Sequence, residues 1–295
     1  MAEIPTAPDH LVAAPLDRDV VLAAGPDVMT FLQGQLSQDV TALSVGGSAW
    51  SFLLQPQGKV DAWLRLTKLA EDRILLDVHG GFGPAVVTRL ERFKLRTKVE
   101  FEPLSWRALA VRGPGAAALR APTEQEEGDA AVAASAGWPG VEGVDIIGPA
   151  DAVVVPEGAE SVSAAELQAL RIALGVPQMG AELTESTIPA EAGQWVIDAS
   201  VSFTKGCFTG QELVARIDSR GGKVPRRIRG VVIGDGSVVP TGAALAMGEK
   251  DAGTITSSAA GVALASVPRS LEPPASVVVT WDGGSAAAEV RELPL

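Results

Sequence analysis

The chain has 295 residues, 46% of them apolar and 20% charged, with a formal net charge of −12. That composition describes a folded, soluble protein and works against binding to nucleic-acid backbones. A single cysteine excludes an internal disulfide, His10 and His79 cannot make a zinc site by themselves, no apolar run reaches the roughly 20 residues of a membrane helix, and the acidic N-terminus has no signal-peptide pattern, so a cytoplasmic setting is expected.

Residues 20–24 read as a short buried strand. Gly25-Pro26-Asp27 then turns the chain, with Asp27 as an N-cap, and Val28, Phe31, Leu32 and Leu36 follow at helical spacing. Strands at 48–54 and 60–69 form a hairpin across Gln55-Pro56-Gln57-Gly58. In the second of these, Val60, Ala62, Leu64 and Leu66 share one face and Asp61, Trp63, Arg65 and Thr67 the other. A strand at 74–78 and a helix near 84–96 come next. Residues 106–112 begin another strand, followed by Gly113-Pro114-Gly115 and an Ala/Leu helix. The segments VLAAGPDVMTFL and LAVRGPGAAALR lie 88 residues apart and match as strand, Gly-Pro turn and helix. The match is either an internal repeat that builds two related halves, or common punctuation between strand and helix.

The acidic stretch 121–135 reads as a loop and 143–148 as a strand. Ser163 and Glu166 form a capping box for a helix that Gly175 and Pro177 stop, and 176–199 looks like loop. Beyond the basic hinge from Arg220 to Arg229, short Val-rich runs divided by Gly and Pro predict a small antiparallel β-barrel.

The segment Ser202–Ile217 is the most unusual. Thr209 and Glu212 make a second capping-box pattern, which puts Cys207 two residues ahead of a helix N-cap with Lys205 nearby. A helix N-terminus and a cation both favour thiolate, so Cys207 is expected to react selectively at neutral pH. The alternative is a small thiol packed inertly in a core. A cysteine hydrolase would need a base that neither histidine obviously supplies.

Lys205-Gly206-Cys207-Phe208-Thr209-Gly210-Gln211-Glu212 resembles the K-G-C-[FY]-x-G-Q-E signature of the YgfZ family of folate-binding proteins. These are relatives of the glycine-cleavage T-protein, an aminomethyltransferase, and of mitochondrial iron–sulfur assembly factors. Residues 31–40, 55–59, 170–177, 188–191 and 253–257 fit the family in order, so the resemblance covers nearly the whole chain. It implies an α+β fold: an aminomethyltransferase-like folate-binding body over 1–222, made of two related halves at about 11–104 and 105–222, then a β-barrel over 223–295. It further implies tetrahydrofolate in a central channel, with Cys207 and Lys205 near it as the reactive pair. The implied function is a folate-binding accessory protein for assembly or repair of iron–sulfur enzymes. A tetrahydrofolate-dependent one-carbon transferase acting on a small amine is the alternative, and a cysteine-based redox or scaffold protein without folate is a third reading. The expected partners are folate and iron–sulfur client or assembly proteins, with no nucleic acid or membrane, and a monomer as the default.

Candidate folate contacts are Gln33, Gln35, Asp39, Gln55, Trp63, Glu142 and Arg216. Each has a plainer reading as a solvated, hairpin, core or hinge residue. Two departures from the T-protein bear on them. Its acidic pair after the first hairpin glycine is replaced by Ala62 and Trp63, with Asp61 one place early. Its pterin-gripping glutamate is replaced by Val141, with Glu142 next door and expected to serve poorly.

Overall fold

The computed structural model describes residues 4–119 and 130–295. Two consecutive strands, β1 (Val12–Leu16) and β2 (Arg18–Ala24), open the chain and do not pair with each other. After them come α1 (Val28–Gln35), β3 (Ser48–Leu54), β4 (Val60–Ala70), β5 (Arg73–His79), α2 (Gly83–Lys94), β6 (Glu100–Leu104) and β7 (Arg107–Arg112). β6 returns to pair with β2, while β7 pairs with β1, both antiparallel.

The exchange is reciprocal. β1 and β6 start 88 residues apart, at Val12 and Glu100, and β2 and β7 end 88 residues apart, at Ala24 and Arg112. The turns after β2 and β7 are equivalent as well. A Cβ on Gly25 (φ 135°) would lie 2.2 Å from the carbonyl oxygen of Lys98, and one on Gly113 (φ 118°) would lie 2.1 Å from that of His10. Lys98 and His10 each immediately precede the approach to a borrowed strand, so only glycine lets the backbones pass this closely. The Gly-Pro match is therefore an internal repeat and not mere punctuation.

The first sheet has the order β3-β4-β5-β2-β6 and is antiparallel throughout. The second adds β8 (Val132–Ser135), β9 (Gly143–Gly148) and β10 (Glu160–Ser161) in the order β10-β1-β7-β9-β8, with β10 parallel to β1. Three helices follow: α3 (Ala164–Leu174), α4 (Gln194–Ser200) and α5 (Gln211–Ser219). A closed antiparallel barrel completes the chain, built from β11 (Arg226–Ile233), β12 (Ala244–Met247), β13 (Lys250–Ala259), β14 (Val262–Pro268), β15 (Ala275–Trp281) and β16 (Gly284–Arg291). Its interior is filled by small side chains such as Ala263, Ala265, Val279 and Val290, as a six-stranded barrel requires. The α+β body followed by a barrel is thus the observed architecture.

A buried polar lock joins barrel to body. Glu182 Oε1 accepts from the hydroxyls of Thr256 (2.7 Å) and Ser257 (2.6 Å) on β13, and its Oε2 accepts from Arg171 Nη1 (3.1 Å) on α3. Arg171 Nη2 also donates to Ser257 Oγ at 2.8 Å.

Several local expectations give way to tertiary structure. β4 is buried on both faces, with Trp63, Arg65 and Thr67 as hidden as Leu64 and Leu66, because the second sheet packs against the face that looked polar. Asp27 does not cap α1; its carboxylate accepts instead from the backbone N–H of Lys98 at 2.7 Å. The Ala/Leu helix after Gly115 is one 3-10 turn, Ala116–Ala118, within the described residues. Of the stretch read as loop at 121–135, residues 121–129 lie outside the described residues and Val132–Ser135 is strand β8. The loop-like 176–199 contains a 3-10 turn at Pro189–Ala192 and the start of α4, a short helix held by burial of Val196, Ile197 and Ser200 instead of by a side-chain cap.

Candidate functional site

The face of β4 that the second sheet covers forms one side of a cavity of about 170 Å³. Trp50, Trp63, Arg18, Arg112, Trp138 and Asp145 are among its lining residues. Trp50 and Trp63 stack with ring centroids 4.1 Å apart and planes 18° apart. Each indole is pinned by its N–H: Trp63 Nε1 donates to Ser200 Oγ and Trp50 Nε1 to the Ala136 carbonyl, both at 2.8 Å. The Arg112 guanidinium lies 4.1 Å from the centre of the Trp138 ring.

Behind these rings runs a buried ionic chain. Arg65 and Asp77 face each other across β4 and β5 and make a two-point pair, Nε to Oδ2 and Nη2 to Oδ1, each at 3.0 Å. Arg65 Nη1 then crosses to the second sheet, donating to Asp145 Oδ2 (2.8 Å) and to the Ser135 carbonyl (2.9 Å). Arg112 Nη1 donates to Asp145 Oδ1 at 2.8 Å, and Arg18 Nε donates to Asp77 Oδ1 at 2.7 Å. Burial alone would push the Asp145 carboxyl up, but Arg112, Arg65 and Arg18 outweigh it and hold it below the ordinary carboxylate range. Burial likewise works against the charge on Arg65, and Asp77 and Asp145 reverse this. For Arg112 burial wins, because Asp145 alone opposes it while Arg65 and Arg18 repel it.

The signature segment forms a second locus, at the end of α1. Lys205 Nζ donates to three backbone carbonyls, those of Gln33 (2.7 Å), Leu36 (2.6 Å) and Gln38 (2.9 Å). An ammonium has three N–H donors, and all three are engaged. Burial draws the Lys205 ammonium down to about 8, with Asp39 opposing. The geometry makes Lys205 a strut that holds the following loop against α1. That loop carries Cys207, which is exposed, so its thiol is not packed in a core.

The expected Thr209–Glu212 capping box does not form. Gly210, in the left-handed region at φ 81°, is the N-cap of α5, and Gln211 Oε1 accepts from the Phe208 N–H at 3.1 Å. Glycine is required at 210 because a Cβ there would lie 2.5 Å from the Gln55 carbonyl oxygen. Gly58, also at φ 81°, would clash with Leu213 in the same contact. The turn 55–58 and the signature therefore interlock backbone to backbone. Gly210→Ala is expected to lower unfolding free energy by about 1–3 kcal/mol in urea titration, through left-handed strain and lost contact with Gln55.

The structure brings some sequence candidates together and separates others. Gln33, Asp39, Lys205 and Cys207 share the end of α1. Gln33 Nε2 donates to Asp39 Oδ1 at 3.0 Å, and that oxygen also accepts from the Thr41 N–H at 3.1 Å, so these two groups brace the local turn. Gln35 Oε1 is a buried acceptor with no donor among the described residues. Gln55 Nε2 donates to the Glu185 carbonyl at 3.0 Å. Trp63 is the candidate that lines the cavity. Glu142 is exposed and accepts from the Gly115 N–H at 3.0 Å, while Val141 packs on the core. Arg216 is exposed on α5.

Sequence reasoning missed Arg18, Arg65, Arg112, Asp77 and Asp145 as site groups. A signal was present: a lone aspartate sits inside each of the apolar strands ILLDV and GVDIIG. A charge in such a strand needs a buried partner.

No protein-family model matches the chain. It is 28% identical over 217 residues to the mitochondrial iron–sulfur cluster assembly factor IBA57 homolog of Mycosarcoma maydis, covering 69% of this chain and 53% of that protein. It is 28% identical over 217 residues to the tRNA-modifying protein YgfZ of Photorhabdus laumondii, covering 70% of this chain and 66% of that one. The matches thus span between about half and two thirds of these relatives' lengths. Among solved structures, aminomethyltransferase T of the glycine cleavage system from Bartonella henselae superposes with a TM-score of 0.76 at 22% identity, over 98% of this chain and 87% of that one. By sequence the chain is a homologue of YgfZ and IBA57 proteins, and its fold is that of aminomethyltransferase T.

Proposed function

We propose that the chain is a tetrahydrofolate-binding accessory protein that supports assembly or repair of iron–sulfur enzymes. The observation that carries the folate part is the cavity between the two sheets. It is walled by Trp50, Trp63 and Trp138, and the buried donors Nε and Nη2 of Arg112 have no acceptor among the described residues. A flat heteroaromatic ring with acceptor atoms at its edge fits such a wall. At about 170 Å³ the space suits a ring system, and it is below the roughly 300–1,000 Å³ that encloses a whole drug-sized ligand, so the rest of a folate would extend outside. The iron–sulfur part is carried over from the assembly role in the name of the Mycosarcoma relative.

In this reading, residues 1–222 are the folate-binding domain and 223–295 the barrel domain. Trp63 contacts the ring directly. Cys207 is the exposed group that meets a client, and Lys205 positions it. Gln33, Gln35 and Asp39 shape the same corner, and Gln55, Glu142 and Arg216 lie outside the cavity wall. The −12 charge favours a protein client over RNA, despite the name of the Photorhabdus relative.

The transferase alternative is disfavoured by Asp61. It is the extra residue of a β-bulge, since Leu53 pairs with Ala62 and Leu54 with Val60. Its carboxylate is also taken by Arg89 Nε at 2.9 Å.

The test is a calorimetric titration with tetrahydrofolate, followed by incubation with small amine donors. Binding without turnover is expected. Absence of binding overturns the folate reading, and turnover moves the protein to the transferase class. Cys207→Ala should bind folate unchanged and leave the melting temperature unaltered, yet fail to restore iron–sulfur enzyme activity in cells lacking the protein. Full restoration by the variant would remove Cys207 from the function.

A further inference from the structure

The buried ionic chain carries three guanidinium groups, Arg18, Arg65 and Arg112, against two carboxylates, Asp77 and Asp145. Arg65 spends all its nitrogens on protein acceptors. Arg112 does not. Its Nη1 serves Asp145 and the carbonyls of Val111 and Val144, while Nε and Nη2 are fully buried, without an acceptor among the described residues, and part of a residue that lines the cavity. Trp138 covers the guanidinium plane and Asp145 fixes one end, so the orphan donors are held in place. Unsatisfied buried donors destabilise a fold, and an arrangement that keeps them rigid beside a cavity suits an acceptor brought by a ligand.

A carboxylate in this position would select the opposite partner. Val141 packs on the core, and Glu142 turns outward to the Gly115 N–H. Every Asp145 oxygen is already engaged by arginine. Of the polar groups that line the cavity, Arg112 is the buried one with unused donors, while the Asp17 carboxylate, which also lines it, is exposed.

We propose that Arg112 is the specificity-determining residue of the cavity, donating from Nε and Nη2 to the oxo group of a pterin, so that the site selects 4-oxo over 4-amino pteridines. This rests on the folate reading above. A 4-amino group presents N–H donors, which would meet the N–H donors of Arg112, and its ring takes up a proton readily, which a guanidinium repels. A carboxylate facing ring position 4 would have the reverse preference, and loss of the preference in an Arg112 variant identifies the group that reads the ring.

The experiment is anaerobic calorimetry of the full chain with tetrahydrofolate and with tetrahydroaminopterin, which differ in the group at ring position 4 and, with it, in whether N3 carries a proton. Tetrahydrofolate is expected to bind at least about tenfold more tightly, as expected of a site built to hydrogen-bond one substituent. Arg112→Met, which keeps the chain length and removes the donors, should erase the preference by weakening tetrahydrofolate alone. Should that variant fail to fold, the comparison on the native protein decides. Equal or tighter binding of the amino compound overturns the role of Arg112 and leaves the folate reading standing. Binding of neither compound overturns both.

Discussion

Replacing Arg65 with methionine should lower the stability of the protein by about 3–5 kcal/mol, the usual cost of removing one partner from a buried ion pair. Arg65 is fully buried and joins both sheets: it pairs with Asp77 in the first and with Asp145 in the second. The variant keeps the volume and most of the packing against Trp50, over whose ring the guanidinium sits at 5.1 Å. What it removes is charge. Asp77 would keep Arg18 and Asp145 would keep Arg112, but each carboxylate loses an arginine contact while buried. Urea denaturation measures the loss. A companion change, Asp77→Asn in the Arg65→Met background, should cost further stability, because it strips the nearly buried Arg18 of its carboxylate. A loss below about 1 kcal/mol for the single variant would mean that the ionic chain contributes little to holding the sheets together.

Lys205→Met is the second large effect, and it is local. Three carbonyls at the end of α1 would lose a charged donor, each such bond being worth about 1.5–3 kcal/mol. Water can reach this partly buried corner and replace some of that, so a net loss of about 2–4 kcal/mol is expected. The loss should concentrate in the signature loop. The Thr209 N–H, which donates to the Gly34 carbonyl at 3.1 Å, should exchange with solvent faster by a factor matching that free energy, while amides of β13 and β14 keep their native protection. Iodoacetamide labelling of Cys207 separates two roles for the lysine. If Lys205 activates the thiol, labelling slows in Lys205→Met. If it only positions the loop, the rate stays the same or rises. The geometry favours the second outcome.

Much of this architecture was legible in the sequence because its signals are local. The Ser163–Glu166 capping box is present as read, with both reciprocal bonds formed. The hairpin of β3 and β4, the strand β9 and the barrel all follow from alternation and turn residues. The 88-residue repeat was visible as a short match, although only the backbone geometry separates it from coincidence. What stayed hidden depends on contacts between distant segments. β1 and β6 carry little pattern of their own and are strands because β7 and β2 accept them. Arg65 reads as the polar face of a half-exposed strand until a second sheet covers it. Glu212 looks like a capping partner until Gly210 takes the N-cap position. Of the proposed ligand contacts, Trp63 lines the cavity while Arg112, its strongest polar candidate, lies just before a Gly-Pro turn whose sequence speaks only of backbone.

The crossing of β1 and β6 sets a timetable for synthesis. Emerging from the ribosome, β1 has no partner until residues 107–112 have been made, and the β2 edge of the first sheet stays open until residues 100–104 arrive. At a synthesis rate of about 5–20 residues per second, β1 waits several seconds as an unpaired edge. A fragment ending near residue 104 would hold a strand with nowhere to go, and one beginning near 105 would lack the neighbour of β7. Supplied together, the two fragments should find each other, because the first carries β1, the strand that the second needs between β7 and β10.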